Sequence, residues 1–401
     1  MMGERKPALR FKGFEGEWNT CRLGDIALFN PKADIPEQFE YVDLESVVGN
    51  EMVSHRTETR NAAPSRAQRL AKKGDIFYQT VRPYQKNNCL FEKSDGVYVF
   101  STGYAQMRPN TDSYFLLSLV QNNLFLKSVL NQCTGTSYPA ISSTNLDDIE
   151  VSLSTYEENR KIGVFFKHLD VLITQQQRKY DSLLNVKKSL LEKMFPKDGA
   201  DVPEIRFKGF EGKWRQRQFG DIVDSYQDPV PTPHNGYTRL GIRSHAKGTF
   251  HSYVEKGREL ETAQMHRVAA GNFIVNITFG WEHAVAITEG SDAGKLVSHR
   301  FPQFRFHDGL NPEFFKYVII DEKFRHHLWL ASPGGAGRNR VLKINEMLEY
   351  KMAFPSEDEQ EKIAIYFKHL DTLITQHHQK LDHLNHIKSA LLEKMFVSEA
   401  A

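Results

Sequence analysis

The chain has little cysteine, little net charge and no long apolar run, and each shortage removes a class of protein. Three cysteines in 401 residues, Cys21, Cys89 and Cys133, are an odd number at no metal-like spacing. Neither a disulfide framework nor a zinc site is therefore expected, and the thiols are read as reduced. No apolar stretch approaches the ~18 residues of a membrane span, and the opening MMGERKPALRF lacks the apolar core of a signal peptide. A cytoplasmic location is expected. Fifty-two Lys and Arg against 50 Asp and Glu leave a formal charge of +2, too small to announce a nucleic-acid binder by itself. What remains is 40% hydrophobic and 11% aromatic, enough for packed cores and, at this length, for two or three domains.

Catalytic signatures are also missing. There is no Asn/Asp-Pro-Pro-aromatic loop of an adenine methyltransferase; the nearest string, NPEF at 311–314, reads as a helix start. GGAG at 334–337 follows no strand and opens no helix, so it reads as a loop rather than a dinucleotide fingerprint. The paired histidines His326/His327, His377/His378 and His383/His386 have no thiol or carboxylate in frame and read as solvated helix faces. No chemistry is expected of this chain itself.

What the chain does have is an internal repeat. LRFKGFEGEW at 9–18 returns as IRFKGFEGKW at 205–214, and LGDI at 23–26 returns as FGDI at 219–222. Residues 161–195 and 362–396 agree at about three positions in five without a gap. Between these blocks, residues 27–134 and 223–333 share little beyond a Gly-led apolar strand, GDIFYQ at Gly74 and GNFIVN at Gly271. Two equivalent supports holding two different working surfaces are implied.

The repeated blocks near 155 and 356 read as long helices. TYEE at 155–158 and SEDE at 356–359 have the spacing of capping boxes. Downstream, Ile162, Phe166, Leu169, Ile173, Tyr180, Leu183, Leu190 and Met194 recur at alternating steps of four and three. Ile363, Phe367, Leu370, Ile374, Leu381, Leu384, Leu391 and Met395 do the same. This 3.5-residue period predicts a coiled coil; the antiparallel arrangement would relate the halves by a pseudo-two-fold axis, and parallel pairing between two chains is the alternative. Gln176, His377, Lys187 and Lys388 interrupt the seams and should set their register. The remaining segments read as short strands, helices near 113–131 and 312–330, and Gly-rich turns, giving an α+β fold. The expected layout is 1–154 and 201–355 as globular domains, with 155–200 and 356–401 as helical spacers.

Basic side chains cluster in the globular parts: residues 201–343 carry 20 Lys/Arg against 16 Asp/Glu, while 344–401 carry 6 against 10. In the first half the candidates for DNA contact are Arg56, Arg60, Arg66, Arg69, Lys72, Lys73, Arg82, Tyr84, Gln85 and Lys86. In the second they are Arg239, Arg243, His245, Lys247, Trp281 with its neighbours Glu282 and His283, then Arg338, Asn339 and Arg340. Arg and Gln match guanine and adenine edges in bidentate geometry, and Lys suits phosphates.

The repeated openings and the blocks YEENRKIGVFFKHLDVLI…LLEKMF and SEDEQEKIAIYFKHLDTLI…LLEKMF resemble the specificity subunits of type I restriction-modification enzymes, over essentially the whole chain. The second copy has the family's Glu359-Gln360 pair, where the first has Glu158-Asn159. The resemblance implies a non-catalytic DNA-binding subunit with two target-recognition domains. Each would read half of a split site in double-stranded DNA, and the helices would set the gap. It implies two modification subunits that methylate adenine and, in the full complex, restriction subunits. S-adenosylmethionine, ATP and Mg would be needed by those partners, and no cofactor is expected in this chain. Lys167, His168 and Asp170, with their copies Lys368, His369 and Asp371, are the candidates for partner docking. Two other readings stay open, a stand-alone sequence-specific regulator and a coiled-coil structural adaptor.

Overall fold

The computed structural model describes residues 5–135, 137–197, 200–259, 264–334 and 340–397. In the first half, Ala27–Phe29 (β1), Ile76–Gln79 (β2), Cys89–Leu90 (β3) and Tyr104–Pro109 (β4) precede the helices Ser113–Gln121 (α1), Asn123–Asn131 (α2) and Tyr156–Lys193 (α3). In the second half, Val223–Tyr226 (β5), Phe273–Val275 (β6), Val285–Ile287 (β7) and Gln303–Phe306 (β8) precede Pro312–Val318 (α4), Glu322–Leu330 (α5) and Glu357–Lys394 (α6). Two compact units result: Met1–Lys179 with His377–Ala401, and Tyr180–Gln376. Each long helix thus gives its first part to one unit and its last part to the other. No helix among the described residues is long and apolar enough to cross a membrane.

Each unit contains the same antiparallel sheet, in the order β1-β4-β2-β3 in the first and β5-β8-β6-β7 in the second. A second sheet lies beside it. In the first unit its order is Arg56–Thr59, Gln38–Val42, Tyr98–Ser101, Ala67–Leu70, with the middle pair parallel. The second unit repeats that order with Thr249–Val254, Tyr237–Ile242, Leu296–Ser298 and Met265–Arg267, then adds Pro229–Val230 at the edge. The segments that share almost no sequence therefore share a topology. Sheet order needs only apolar alternation and turns in the right places, which many sequences satisfy.

The long helices pair antiparallel within each unit. In the first, Asp170 on α3 pairs with Lys388 on α6 at 2.5 Å, and Gln176 donates to the His377 carbonyl at 3.0 Å. In the second, Lys187 on α3 pairs with Asp371 on α6 at 2.5 Å. Ile162, Phe166, Leu169, Leu392, Met395 and Phe396 are buried together in the first core; Met194, Ile363, Phe367 and Leu370 are buried in the second. The polar seam positions thus meet charged or amide partners from the opposite helix, a register device.

The repeated openings clip each helix pair at its ends. Arg10 forms a bidentate pair with Glu158 at the start of α3, both contacts at 2.7 Å, while the Leu9 amide donates to the Lys394 carbonyl at the end of α6. Arg206 and Glu359 repeat the pair at 2.7 Å, and the Ile205 amide donates to the Lys193 carbonyl. Trp18 packs on Phe115 and Phe396, and Trp214 on Phe314 and Phe195. The capping boxes form only by half at 155–158: Thr155 Oγ1 accepts from the Glu158 amide at 3.3 Å, but the Glu158 carboxylate is taken by Arg10 and Ser154. A buried carboxylate gains more from a guanidinium than from one backbone amide.

Each single helix expected in the variable segments is two. Asn122 ends α1 and caps α2 by accepting from the Phe125 amide, and Asp321 caps α5 by accepting from the Lys323 amide. These short polar side chains compete with the backbone of a continuous helix. Asn311 caps α4 with Pro312 in the first turn, the helix start expected there.

Candidate nucleic-acid interface

The turn from β2 to β3 is held from beneath by two buried amides. Asn88 Oδ1 accepts from the Gln79 amide at 2.8 Å, and Gln79 Nε2 donates to the Val81 carbonyl at 2.7 Å and to Gln85 Oε1 at 2.8 Å. Above them Pro83–Gln85 forms one 3₁₀ turn, bracketed by Arg82 and Lys86, both left-handed at φ 53°. Non-glycine residues in that region store strain of about 1–3 kcal/mol each, a habit of functional loops. Residues 137–141 return alongside: Arg82 donates its amide to the Pro139 carbonyl at 2.8 Å, and the Ile141 amide donates to the Thr80 carbonyl at 3.0 Å. The Arg82 guanidinium lies over the exposed Tyr138 ring, 4.5 Å from its centroid. Tyr84 is also exposed.

The turn from β6 to β7 repeats part of this plan. Gly280–Glu282 is a 3₁₀ turn ended by His283 at φ 60°, and the Leu342 amide donates to the Ile277 carbonyl at 2.8 Å, the counterpart of the Ile141–Thr80 bond. Arg340 lies over Trp281 at 6.0 Å and over Trp329 at 5.1 Å. The hairpin between Tyr237–Ile242 and Thr249–Val254 leans onto this turn. His245 and Ala246, at φ 61° and 50°, donate their amides to the carbonyls of Glu282 and His283, and Ser244 donates to Glu282 at 2.6 Å. Arg243, His245 and Lys247 are exposed on it. The second unit thus gathers Trp281, Arg340 and the 243–247 hairpin into one surface. His283 is internal instead: it is buried against the Ile319 carbonyl at 2.7 Å, and burial holds its pKa below the usual histidine value.

The first-half candidates are spread more widely. Arg56 sits on one edge strand of the second sheet, paired with Asp43 at 2.7 Å and Glu58 at 2.8 Å, and Arg60 follows it with a bond to the Ile35 carbonyl. Arg66, Arg69, Lys72 and Lys73 lie in or beside Ala67–Leu70, at the other edge of that sheet. Arg66, Lys72 and Lys73 are exposed; Arg69 is half-buried, its pKa lowered by desolvation. Lys86 donates to the Gln121 carbonyl at 2.8 Å and Asn123 at 2.7 Å, tying the turn to α1 and α2, and burial lowers its pKa. Arg82, Tyr84 and Gln85 stay together on the turn. Arg239 is exposed on Tyr237–Ile242, and Arg338 and Asn339 lie outside the described residues.

On the long helices, His168 and His369 are exposed, Lys167 pairs with Glu92 at 2.8 Å, and Lys368 lies 3.9 Å from Glu313. Asp170 and Asp371 are engaged within the helix pairs, by Lys388 and Lys187. Tyr138 and Trp329 do not stand out in the sequence, where TGTSYPAIS reads as a Gly-rich turn and Trp329 as one position of the helix near 312–330. The signal available was an exposed-type aromatic at the margin of each Gly-rich block. Among the described residues no group of three or more His, Cys, Asp or Glu could hold a metal ion.

No family model matches the chain. Among curated proteins, the type I restriction enzyme MjaVIII specificity subunit of Methanocaldococcus jannaschii is 21% identical over 347 residues, 82% of this chain and 75% of that one. The HindI specificity subunit of Haemophilus influenzae is 22% identical over 206 residues, covering 48% of this chain and 43% of its own length. Among solved structures, the type I restriction-modification S subunit from M. genitalium matches with a TM-score of 0.62 at 14% identity, over 98% of this chain and 99% of that one. A chain from a structure of a type I R-M system, described for its complex assembly and conformational transition, gives a TM-score of 0.53 at 19% identity, over 96% and 98%. The chain therefore resembles type I specificity subunits in sequence, and it shares their fold.

Proposed function

We propose that this chain is the DNA-reading, non-catalytic subunit of a type I restriction-modification complex. Each globular part, 1–154 and 201–355, reads one half of a bipartite target. The paired helices set the gap between the half-sites, which lie near one turn of duplex or about 34 Å apart, and seat two copies of an adenine methyltransferase subunit. Restriction subunits join that assembly. S-adenosylmethionine, ATP and magnesium chemistry belongs to the partners, and the chain works in the cytoplasm.

The observation that carries this reading is the repeated turn, β2 to β3 and β6 to β7. One sheet built twice presents a different pairing of cation and aromatic at the turn after its central strand, as two reading heads of unlike specificity require. A repeated framework also offers identical partners the same surface twice. The test is a genome-wide map of N6-methyladenine in the host with and without the gene. Loss of one motif, two short blocks around a fixed gap, supports the reading. A methylation map that does not change while the neighbouring methyltransferase is active rejects it.

A further inference from the structure

In both units the turn after the central strand meets the return segment through a cation on an aromatic ring, but the two partners are exchanged. In the first unit the cation, Arg82, stands on the turn and the aromatic, Tyr138, on the return segment. In the second the aromatic, Trp281, stands on the turn and the cation, Arg340, on the return segment. The two frames share one backbone bond, Ile141 to Thr80 in the first unit and Leu342 to Ile277 in the second. The 3₁₀ turn is common to both units, but the residue before it differs in backbone as well as side chain, Arg82 at φ 53° and Phe279 at φ −125°.

Among the described residues no carboxylate pairs with the Arg82 guanidinium, in contrast to Arg10 and Arg108, which each have one, and Arg56, which has two. Its left-handed backbone and the donation of its amide to Pro139 fix where the side chain starts. The Tyr138 ring, 63% exposed, covers one face of the guanidinium and leaves its edge N–H groups for another acceptor. A guanidinium seated over an aromatic ring, with no carboxylate partner among the described residues, can offer its planar fork to N7 and O6 of guanine in the major groove.

We propose that Arg82 reads a guanine in the half-site of the first unit, and that Tyr138 is the positioning residue that aims it. In the second unit Arg340 holds Trp281 as the counterpart, so the other half-site is read by a different chemistry at the same place. This rests on the proposed function and names the residues that divide the two half-sites.

The experiment uses the full chain at its own locus, with methylated motifs mapped for wild type, Arg82→Gln, Tyr138→Ala, Tyr138→Phe and Arg340→Ala. Arg82→Gln and Tyr138→Ala should each relax the same single G·C position in one half-site. Preference there should fall about 5- to 150-fold, the worth of one bidentate base contact, while the other half-site stays intact. Tyr138→Phe keeps the ring and should keep the motif. Arg340→Ala should alter only the opposite half-site. The proposal is overturned if Arg82→Gln and Tyr138→Ala leave every position as in wild type. It is equally overturned if they lower methylation evenly across the motif with an unchanged thermal melt. A wild-type chain that supports no split motif would instead sink the functional reading on which the proposal stands.

Discussion

Glu158 and Glu359 show how one side chain can be decided by a distant repeat. Each carboxylate is fully buried and meets the arginine of the opening block, Arg10 or Arg206, whose pKa its hydrogen bonding raises. Glu158→Gln leaves the half-buried Arg10 guanidinium without its counter-charge and should cost about 2 kcal/mol, read as a lower urea midpoint. Gly163 is a second case. An added Cβ would stand 2.0 Å from Asp112 Oδ1 and 2.7 Å from the Phe115 amide, at the cap of α1, whereas the second helix carries Ala364 at that position. Gly163→Ala should therefore lower the melting temperature, although helix propensity alone would raise stability by about 1 kcal/mol. Cys89 gives a pH dependence. Complete burial pushes its thiol up to about 12 from an ordinary 9.0. The unfolded thiol ionises first as pH rises, so the folded state loses about 1.4 kcal/mol per unit between those values. Cys89→Val should flatten that part of the stability profile relative to wild type; parallel profiles would refute the assignment.

At the scale of elements, the long helices were readable because a strict seam survives in both copies, and burial follows it from Ile162 to Met194 and from Ile363 to Met395. The pairing of Asp170 with Lys388 and of Lys187 with Asp371 was not readable, since it depends on which helix lies opposite. These pairs are about four-fifths buried or less, so a double-mutant cycle on Asp170 and Lys388 should give a coupling of about 1 kcal/mol. If the helices set the gap between half-sites, one heptad added to both at matching positions lengthens each by about 10 Å. The mapped gap should then grow by about 3 base pairs with the bases read unchanged. The breaks at Asn122 and Asp321 were legible in principle, as cap residues inside an apolar run. The scatter of the first basic cluster was not: residues 55–86 run through both edges of one sheet and the turn of another, and a linear count cannot see strand order.

For the whole molecule, the repeat was plain in sequence, yet the kinship of the variable parts was not, because sheet order constrains alternation rather than identity. The two units differ in how the chain supplies them. Tyr180–Gln376 is continuous, whereas the first unit needs His377–Ala401, which brings Leu392, Met395 and Phe396 into its core. Removing 377–401 strips those three side chains, worth about 6 kcal/mol together and comparable to the stability of a domain. Hydrogen exchange should then show lost protection in Ile76–Gln79 and retained protection in Phe273–Val275; equal loss in both would contradict the division.

That division also orders events on the ribosome. Domains made from a continuous stretch ordinarily fold as they emerge, N-terminal first. Here the first 179 residues emerge first but must wait, while the unit translated later has its whole sequence in hand once Gln376 clears the exit tunnel. The strands around Ile76–Gln79 therefore pass most of translation without the helix end that closes their core, which is the interval in which a chaperone would find them.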